Sequence, residues 1–456
     1  MDADLEAAAQ SAHVQQLADG SFAVEPMVST LHADIPIASD AFTKDQYTSS
    51  VGSVRLGKLL EDLDALAVNA AFKHCWAAAR SECASQPPEA LHLVTACVDR
   101  IDIVRPLPRC DLRMVAFVSW TGASSVEVTV QLREATADAQ SPPLLQAAVV
   151  MVRLDPTTRK AAMVPQLSLE GASASVLSAF QAGAAARQVR QADRAGALEK
   201  VAPLPEELQA MHHLMNASRR AMQDAGVPDA AQVQRLPRAV LWGGKAQPAA
   251  SSLGSTLPVV AMGQTLTQNV FTTQPQDRNT AGAVFGGLLM RRAYELAQAT
   301  ALQFLLASCS RQDAQEADTA VPIPRLMAVD DIAFVRPVQV GHLLQVAAQV
   351  VATQDAAAQV AVTCHTVDTR NPRAAPVHTN SFHFTFACVH EDSSGAVQPA
   401  RPLAAVLPDT YAQVMAQIDG KRRLSQAAAQ AATLDSAYAC ALAQHPAGSV
   451  GFGDMS

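Results

Sequence analysis

Residues 284–297 read VFGGLLMRRAYELA, two glycines running straight into a helix-period pattern. Glycine is a poor residue inside a helix, but at its mouth it lets another group approach the backbone closely. The first turn of a helix carries unpaired N–H donors and a partial positive charge. Donors of that kind can stabilise an oxyanion developing on an acyl carbonyl. Gly286 and Gly287 therefore have two readings, tight packing of helix on sheet or contact with a ligand, and alone they do not decide between them.

The chain contains a second, weaker version of the same run. VRLGKLLEDLDALA (54–67) lies 230 residues before VFGGLLMRRAYELA, and VDRIDIVRP (98–106) lies 231 before VDDIAFVRP (329–337), with six of nine positions identical. Two collinear matches at nearly one offset indicate a duplicated domain. Aligning Gly57 with Gly287 places Asp64 seven residues beyond the glycine, two helical turns on and on the face of the helix mouth. The same position in the second copy is Tyr294, followed by Glu295. Eight residues before Gly287 stands Asn279, where the first copy has Ser49. One copy holds a carboxylate; the other holds an amide and both glycines.

Each copy must build the elements that position these groups. A helix of about 20 residues comes first, from Leu56 to about Ala79 and from Gly287 to about Ser308. An extended segment ending in Arg-Pro follows, and then strand-like runs: LRMVAFVSW, SSVEVTVQLRE and LQAAVVMVRLD in the first copy, LLQVAAQVV, AQVAVTCHTV and SFHFTFACV in the second. Period-two alternation, as at Phe382, Phe384 and Phe386, marks them as strands. One helix and an antiparallel meander, twice, predicts an α+β architecture. The expected organisation is an N-terminal segment (1–44), a first domain (45–170), an Ala/Gln-rich linker (171–260), a second domain (261–395) and a C-terminal part (396–456) with a helix and a tail disordered from about residue 420.

The approach QDRNTAGAVFGG (276–287), the strand FVRPVQVG (334–341) and the strings LLEDLDALA, VDRID and HFTF resemble the hotdog-fold acyl-CoA thioesterases, and within them the acyl-CoA thioesterase 9 branch, which is mitochondrial. The resemblance covers about residues 45–420. It implies two tandem hotdog domains, each a long central helix wrapped by an antiparallel sheet, paired with the helices side by side. It further implies an active site between the paired domains, an Asn from the loop before one helix meeting an acidic residue on the other. Carried over, these are Asn279 and Asp64. Asp64 would act as general base on water or attack the thioester itself, and Asn279 would orient the carbonyl or the water. Phe285, Gly286 and Gly287 would line the substrate. Arg291 and Arg292 either steer the CoA phosphates or form a solvated helix face. A second site would have to combine Ser49 with Tyr294 and use Glu295 as a substitute base. No cofactor or metal is required, and family members assemble as trimers of the two-domain chain.

Other features narrow the function. A net charge of -8 argues against a general nucleic-acid binder. The eight cysteines form no CxxC pair, which fits reduced thiols. No apolar run is long enough to span a bilayer, and the acidic N-terminus shows neither a signal-peptide core nor the arginines of a presequence; the alternative compartment is the cytoplasm. GSVRLGKL (52–59) nearly matches a phosphate-binding loop but ends in Leu59 where a hydroxyl is needed. The histidines show no HExxH spacing; His378 and His383 are expected at a surface or interface. A hydratase or dehydratase would need a histidine paired with an acid, and His74 lies too far along its helix. A non-catalytic acyl-CoA-binding or scaffold protein is the other alternative.

Overall fold

The computed structural model describes residues 14–170 and 259–433, apart from short gaps such as 83–90 and 309–321, and only scattered positions from 171 to 258. The predicted linker (171–260) therefore falls almost wholly outside the described residues, as does everything beyond residue 433.

The architecture is α+β. Ten strands form one continuous path: β1 (Leu31–Ile35), β2 (His92–Ile103), β3 (Leu112–Thr121), β4 (Ser125–Glu134), β5 (Leu145–Leu154), β6 (Thr267–Thr272), β7 (Ile323–Phe334), β8 (Leu343–Gln354), β9 (Ala357–Val367) and β10 (Val377–Glu391). Their order in the sheet is β6-β8-β9-β10-β7-β2-β5-β4-β3-β1, all antiparallel. Each half reads edge strand, three-stranded meander, then the strand that follows its helix. The predicted strands lie within β3, β8, β9 and β10 and, but for one residue at an end, within β4 and β5.

The halves meet where β7 pairs with β2, with Asp330 opposite Arg100. At the repeat offset of 231, the counterpart of Arg100 is residue 331 and that of Asp330 is Asp99. The internal two-fold axis therefore passes between these adjacent pairs. Arg100 Nη1 donates to Asp330 Oδ1 at 2.5 Å and its Nε to Asp102 Oδ1 at 2.6 Å, with the first two side chains only 7% exposed. Removing one member of such a buried pair strands the other charge, so this contact fixes the register of the two halves.

Both central helices lie against this sheet and against each other. The first (Leu56–Glu82) buries Leu56, Leu59, Leu60, Leu63, Ala67, Ala70 and Ala71, a stripe at helical spacing. The second (Gly286–Ser308) buries Leu289, Met290, Ala293, Tyr294, Ala297, Ala301 and Phe304. Residues of both helices and both half-sheets join one continuous hydrophobic core. Phe382, Phe384 and Phe386 point into it, as their alternation requires.

Two boundaries differ from the sequence expectation. Strand β1 precedes residue 45 yet pairs with β3, so the first unit begins earlier; its short, mixed pattern LHADI carries little periodicity of its own. At the other end, a regular helix spans Tyr411–Thr433, well past residue 420. It buries Leu424, Ala427 and Ala431 in the core cluster that includes the sheet, and Val414 and Ile418 in a small cluster with Met215 and Met415. A Cβ on Gly420 would come within 2.9 Å of Ala352 Cβ and Val351 Cγ2, so helix and sheet touch there. Alanine supplies enough apolar surface for close packing, which an Ala/Gln-rich composition conceals.

The helix crossing makes the two aligned glycines unequal. A Cβ on Gly287 would stand 2.8 Å from the Glu61 carbonyl oxygen, a backbone atom that cannot step aside, whereas one on Gly57 would meet only side chains, at 3.2 Å or more. Gly287→Ala is expected to cost about 1–3 kcal/mol in denaturant unfolding. Gly57→Ala should stay within about 1 kcal/mol of wild type, since the gain in helix propensity offsets the crowding.

Candidate active site

Asp64 sits in the third turn of the first central helix with no exposed surface. Its Oδ1 accepts a hydrogen bond from the Thr95 hydroxyl at 3.0 Å, and Thr95 stands beside a bulge where β2 pairs with β5. Its Oδ2 makes no hydrogen bond of good geometry and lies 3.0 Å from where a Cβ on Gly286 would be. The carboxylate of the first half therefore points at the helix mouth of the second, and Gly286 leaves room for it. Burial pushes its pKa up to about 6, while the Thr95 hydroxyl and the Gly287 amide pull the other way.

Asn279 belongs to a loop that fixes its amide. Its Oδ1 accepts from the backbone N–H groups of Ala281 and Ala283, both at 3.0 Å, and its own N–H donates to the Ala283 carbonyl at 2.7 Å. Gly282, at φ +89°, closes the turn. Because two N–H donors require an oxygen facing them, the amide orientation is set by chemistry, and its NH2 end is turned outward. Phe285 N–H donates to the Asp277 carbonyl, which ties this loop to the start of the second helix. The first copy repeats the turn with other chemistry. Ser49 N–H donates to the Ser53 carbonyl, Gly52 takes φ +75°, and the Ser49 hydroxyl receives the Ser53 N–H at 3.1 Å. Ser49 thus stands where Asn279 stands, without an NH2 group to offer.

The two glycines leave room for different neighbours. Gly287 permits the close helix crossing, with the Phe285 ring 2.6 Å from where its Cβ would be; Gly286 makes room for Asp64. Arg291 is engaged within the protein: it bonds Glu61 at 2.9 Å across the crossing and Glu295 at 3.1 Å on its own helix. Arg292 is 45% exposed, 3.8 Å from Glu295 and with its guanidinium 5.2 Å from the Phe271 ring centroid. Glu295 also accepts from Arg55 at 2.8 Å. Burial raises its pKa, but Arg55 and Arg291 outweigh that and leave it below the ordinary carboxylate value. Tyr294, the counterpart of Asp64, is 5% exposed and packs against Phe384 and Phe386. The second crossing thus holds an aromatic cluster and an ion-paired glutamate.

Sequence reasoning missed Thr95, Arg55 and Glu61. Arg55 meets Glu295, and Glu61 meets Arg291, only across the helix crossing. Thr95 is one polar residue within LHLVTACVD, and only the bulge in β2 shows which way it faces. His383 lies 3.9 Å from Asp419 of the C-terminal helix, at an interface between elements, and His378 bonds Ser381 of its own strand. Among the described residues no cluster of three metal-ligating side chains occurs, Cys75, Cys110 and Cys364 are free thiols, and no helix is long and apolar enough to cross a membrane.

No family model matches the chain. It is 31% identical over 390 residues to the mouse protein named mitochondrial acyl-coenzyme A thioesterase 9, covering 85% of this chain and 75% of that one. It is 30% identical over 393 residues to the human protein of the same name, at 86% and 76% coverage. The chain belongs to the acyl-coenzyme A thioesterase 9 family. Among solved structures it is similar to an acyl-CoA hydrolase from Staphylococcus aureus in complex with butyryl coenzyme A (20% identity, TM-score 0.31, 39% of this chain and 98% of that one). It is similar also to an acyl-ACP thioesterase from Bacteroides thetaiotaomicron (11%, TM-score 0.38, 78% and 98%).

The raised pKa of Asp64 has a consequence for stability. Below about pH 4 the group is protonated in both folded and unfolded chains and carries no penalty; between about pH 4 and about 6 the unfolded chain releases its proton while the native state keeps it, so stability falls across that window and is level above it. Asp64→Asn should therefore be more stable than wild type at about pH 8, by up to about 3 kcal/mol. The difference should vanish below about pH 4, as thermal unfolding across that range would show.

Proposed function

We propose that this chain is an acyl-CoA thioesterase, hydrolysing fatty acyl-CoA to free fatty acid and CoA at one composite site between its two halves. The observation that carries the reading is the buried Asp64 carboxylate of the first half aimed at the Gly286-Gly287 helix mouth of the second. The family relationship supports the substrate class. The repeated halves are read as two hotdog domains paired into a double hotdog.

In the reaction, ionised Asp64 takes a proton from water as the water oxygen bonds to the thioester carbonyl carbon. Carbonyl π electrons move onto oxygen, and the Asn279 NH2 group, presented by its fixed loop, donates to that developing oxyanion. Collapse re-forms the carbonyl and breaks the C–S bond, and the sulfur leaves as CoA thiolate, which recovers a proton from Asp64. The Thr95 hydroxyl holds one oxygen of the carboxylate, leaving Oδ2 for the proton. A pKa near 6 suits a base that must be ionised at neutral pH yet accept a proton readily.

The hydratase reading fares less well, because His74 is fully buried, bonded to the Pro165 carbonyl at 3.1 Å, and pushed by burial to a pKa of about 4. The finer assignments follow the family: a homo-oligomer, as trimers of the two-domain chain, in mitochondria.

Hydrolysis of an acyl-CoA panel, followed by thiol release, tests the assignment. Asp64→Asn should lower turnover by about 100-fold or more, and Asn279→Ala by about 10²–10³. Wild-type kcat/KM should rise with pH through about 6. Glu295→Gln should keep most of the activity; a loss equal to that of Asp64→Asn would mean a second working base.

A further inference from the structure

Two histidines of the second half meet away from the proposed active site. His365 stands near the end of β9 and His378 at the start of β10, and the ladder pairs them directly. Their ring centroids are 5.3 Å apart, with the ring planes at 64°. Ser381 joins them, its hydroxyl 2.9 Å from His378 Nε2.

The sequence alone does not show this grouping, because residues three apart in a regular strand point to opposite faces. A bulge brings His378 and Ser381 to one face. Cys364 lies opposite Asn380 but His365 opposite His378, which leaves Thr379 as an extra residue in β10. Thr379 is buried; its hydroxyl bonds the Cys364 carbonyl at 3.2 Å, and its own carbonyl accepts from the N–H groups of Val335 and Arg336. Val360 and Val362 pair with Phe384 and Phe382, so these residues and Cys364 face the central helices. His365 therefore faces away from them, and His365, His378 and Ser381 are each half-buried. The residue opposite His365 on β8 is the uncharged Gln345.

Neutral imidazole is a ligand for divalent first-row transition ions. Two imidazoles on one tetrahedral ion, each nitrogen about 2.0–2.1 Å from it, hold their ring centroids about 5 Å apart. The observed spacing matches that of a chelating pair. A ligating histidine donates its other ring N–H to a nearby oxygen. The Ser381 hydroxyl is placed to accept from His378 Nε2, which leaves Nδ1 as the ligating atom. Burial, and then the neighbouring His378, lower the pKa of His365, which favours the neutral form that ligates.

We infer that His365 and His378 form a two-imidazole binding site for a divalent ion of the zinc type, with Ser381 positioning His378 and water completing the coordination. The ion ties β9 to β10 beside the bulge, on the sheet face turned away from the central helices. The site does not depend on the acyl-CoA reading.

The test titrates Zn2+ into the full-length chain by calorimetry and follows the melting temperature with and without the ion. His365→Gln and His378→Gln change half-exposed side chains, so without Zn2+ both should melt close to wild type. Wild type should bind one equivalent of Zn2+ that each variant binds at least tenfold more weakly, and Zn2+ should raise the melting temperature of wild type alone. Ser381→Ala, which removes no ligand, should weaken the same equivalent by about tenfold. Equal isotherms for wild type and both histidine variants would overturn the inference, whether the ion binds elsewhere, at thiols, or not at all. The rings would then make an aromatic contact only. If one histidine variant fails to fold, the other and Ser381→Ala still decide the outcome.

Discussion

A carboxylate with no solvent contact, Asp64, at the crossing of two helices is the constraint on which this structure depends. Its ionised form is disfavoured by burial and is supported by the Thr95 hydroxyl and the Gly287 amide. To place it there, the helices must approach until Gly287 meets the Glu61 carbonyl, and Gly286 must lack a side chain. The crossing is held in turn by the Arg291–Glu61 bond, by a shared core and by the Arg100–Asp330 pair where the half-sheets join. Thr95 on β2 holds one oxygen of that carboxylate, while Asn279 is fixed within the loop before the second helix. Each is positioned by its own half.

Duplication generates two crossings, but they have not kept the same contents. At one, the carboxylate held by a hydroxyl faces a pair of glycines, and the loop before them fixes an amide. At the other, Tyr294 packs on Phe384 and Phe386, Leu326 stands at the position of Thr95 under the 231 offset, and Ser49 fills the turn used by Asn279. Glu295 remains, but its oxygens are bound by Arg55 and Arg291 and its pKa is lowered. A carboxylate held in that way is a poor proton acceptor and a good structural clamp. The second crossing is filled by aromatic packing and ion pairs, and the first keeps a buried carboxylate.

Much of this was readable from residues alone. The repeat fixed the correspondence of Gly57 with Gly287, and the helices begin within a residue of where the periodicity starts them. The alternation of Phe382, Phe384 and Phe386 identified β10. Comparing the copies position by position singled out Asp64 and Asn279 as the unmatched polar groups. What stayed hidden depends on contacts between distant segments. Strand β1 is too short to show a period, and the C-terminal helix is built on alanine, whose value lies in close approach. Thr95 gains its meaning only from facing Asp64, and Arg291 reads as a free cation until Glu61, 230 residues away, is seen beside it.

The central claim is that the two halves together make one site per chain. Calorimetric titration of the full-length chain with a non-hydrolysable thioether analogue of an acyl-CoA tests it most directly, because it counts sites without relying on turnover. The account predicts one equivalent bound per chain, with binding weakened by Asn279→Ala and unaffected by Ser49→Ala. Two equivalents per chain, or a single equivalent weakened by Ser49→Ala and indifferent to Asn279→Ala, would contradict it.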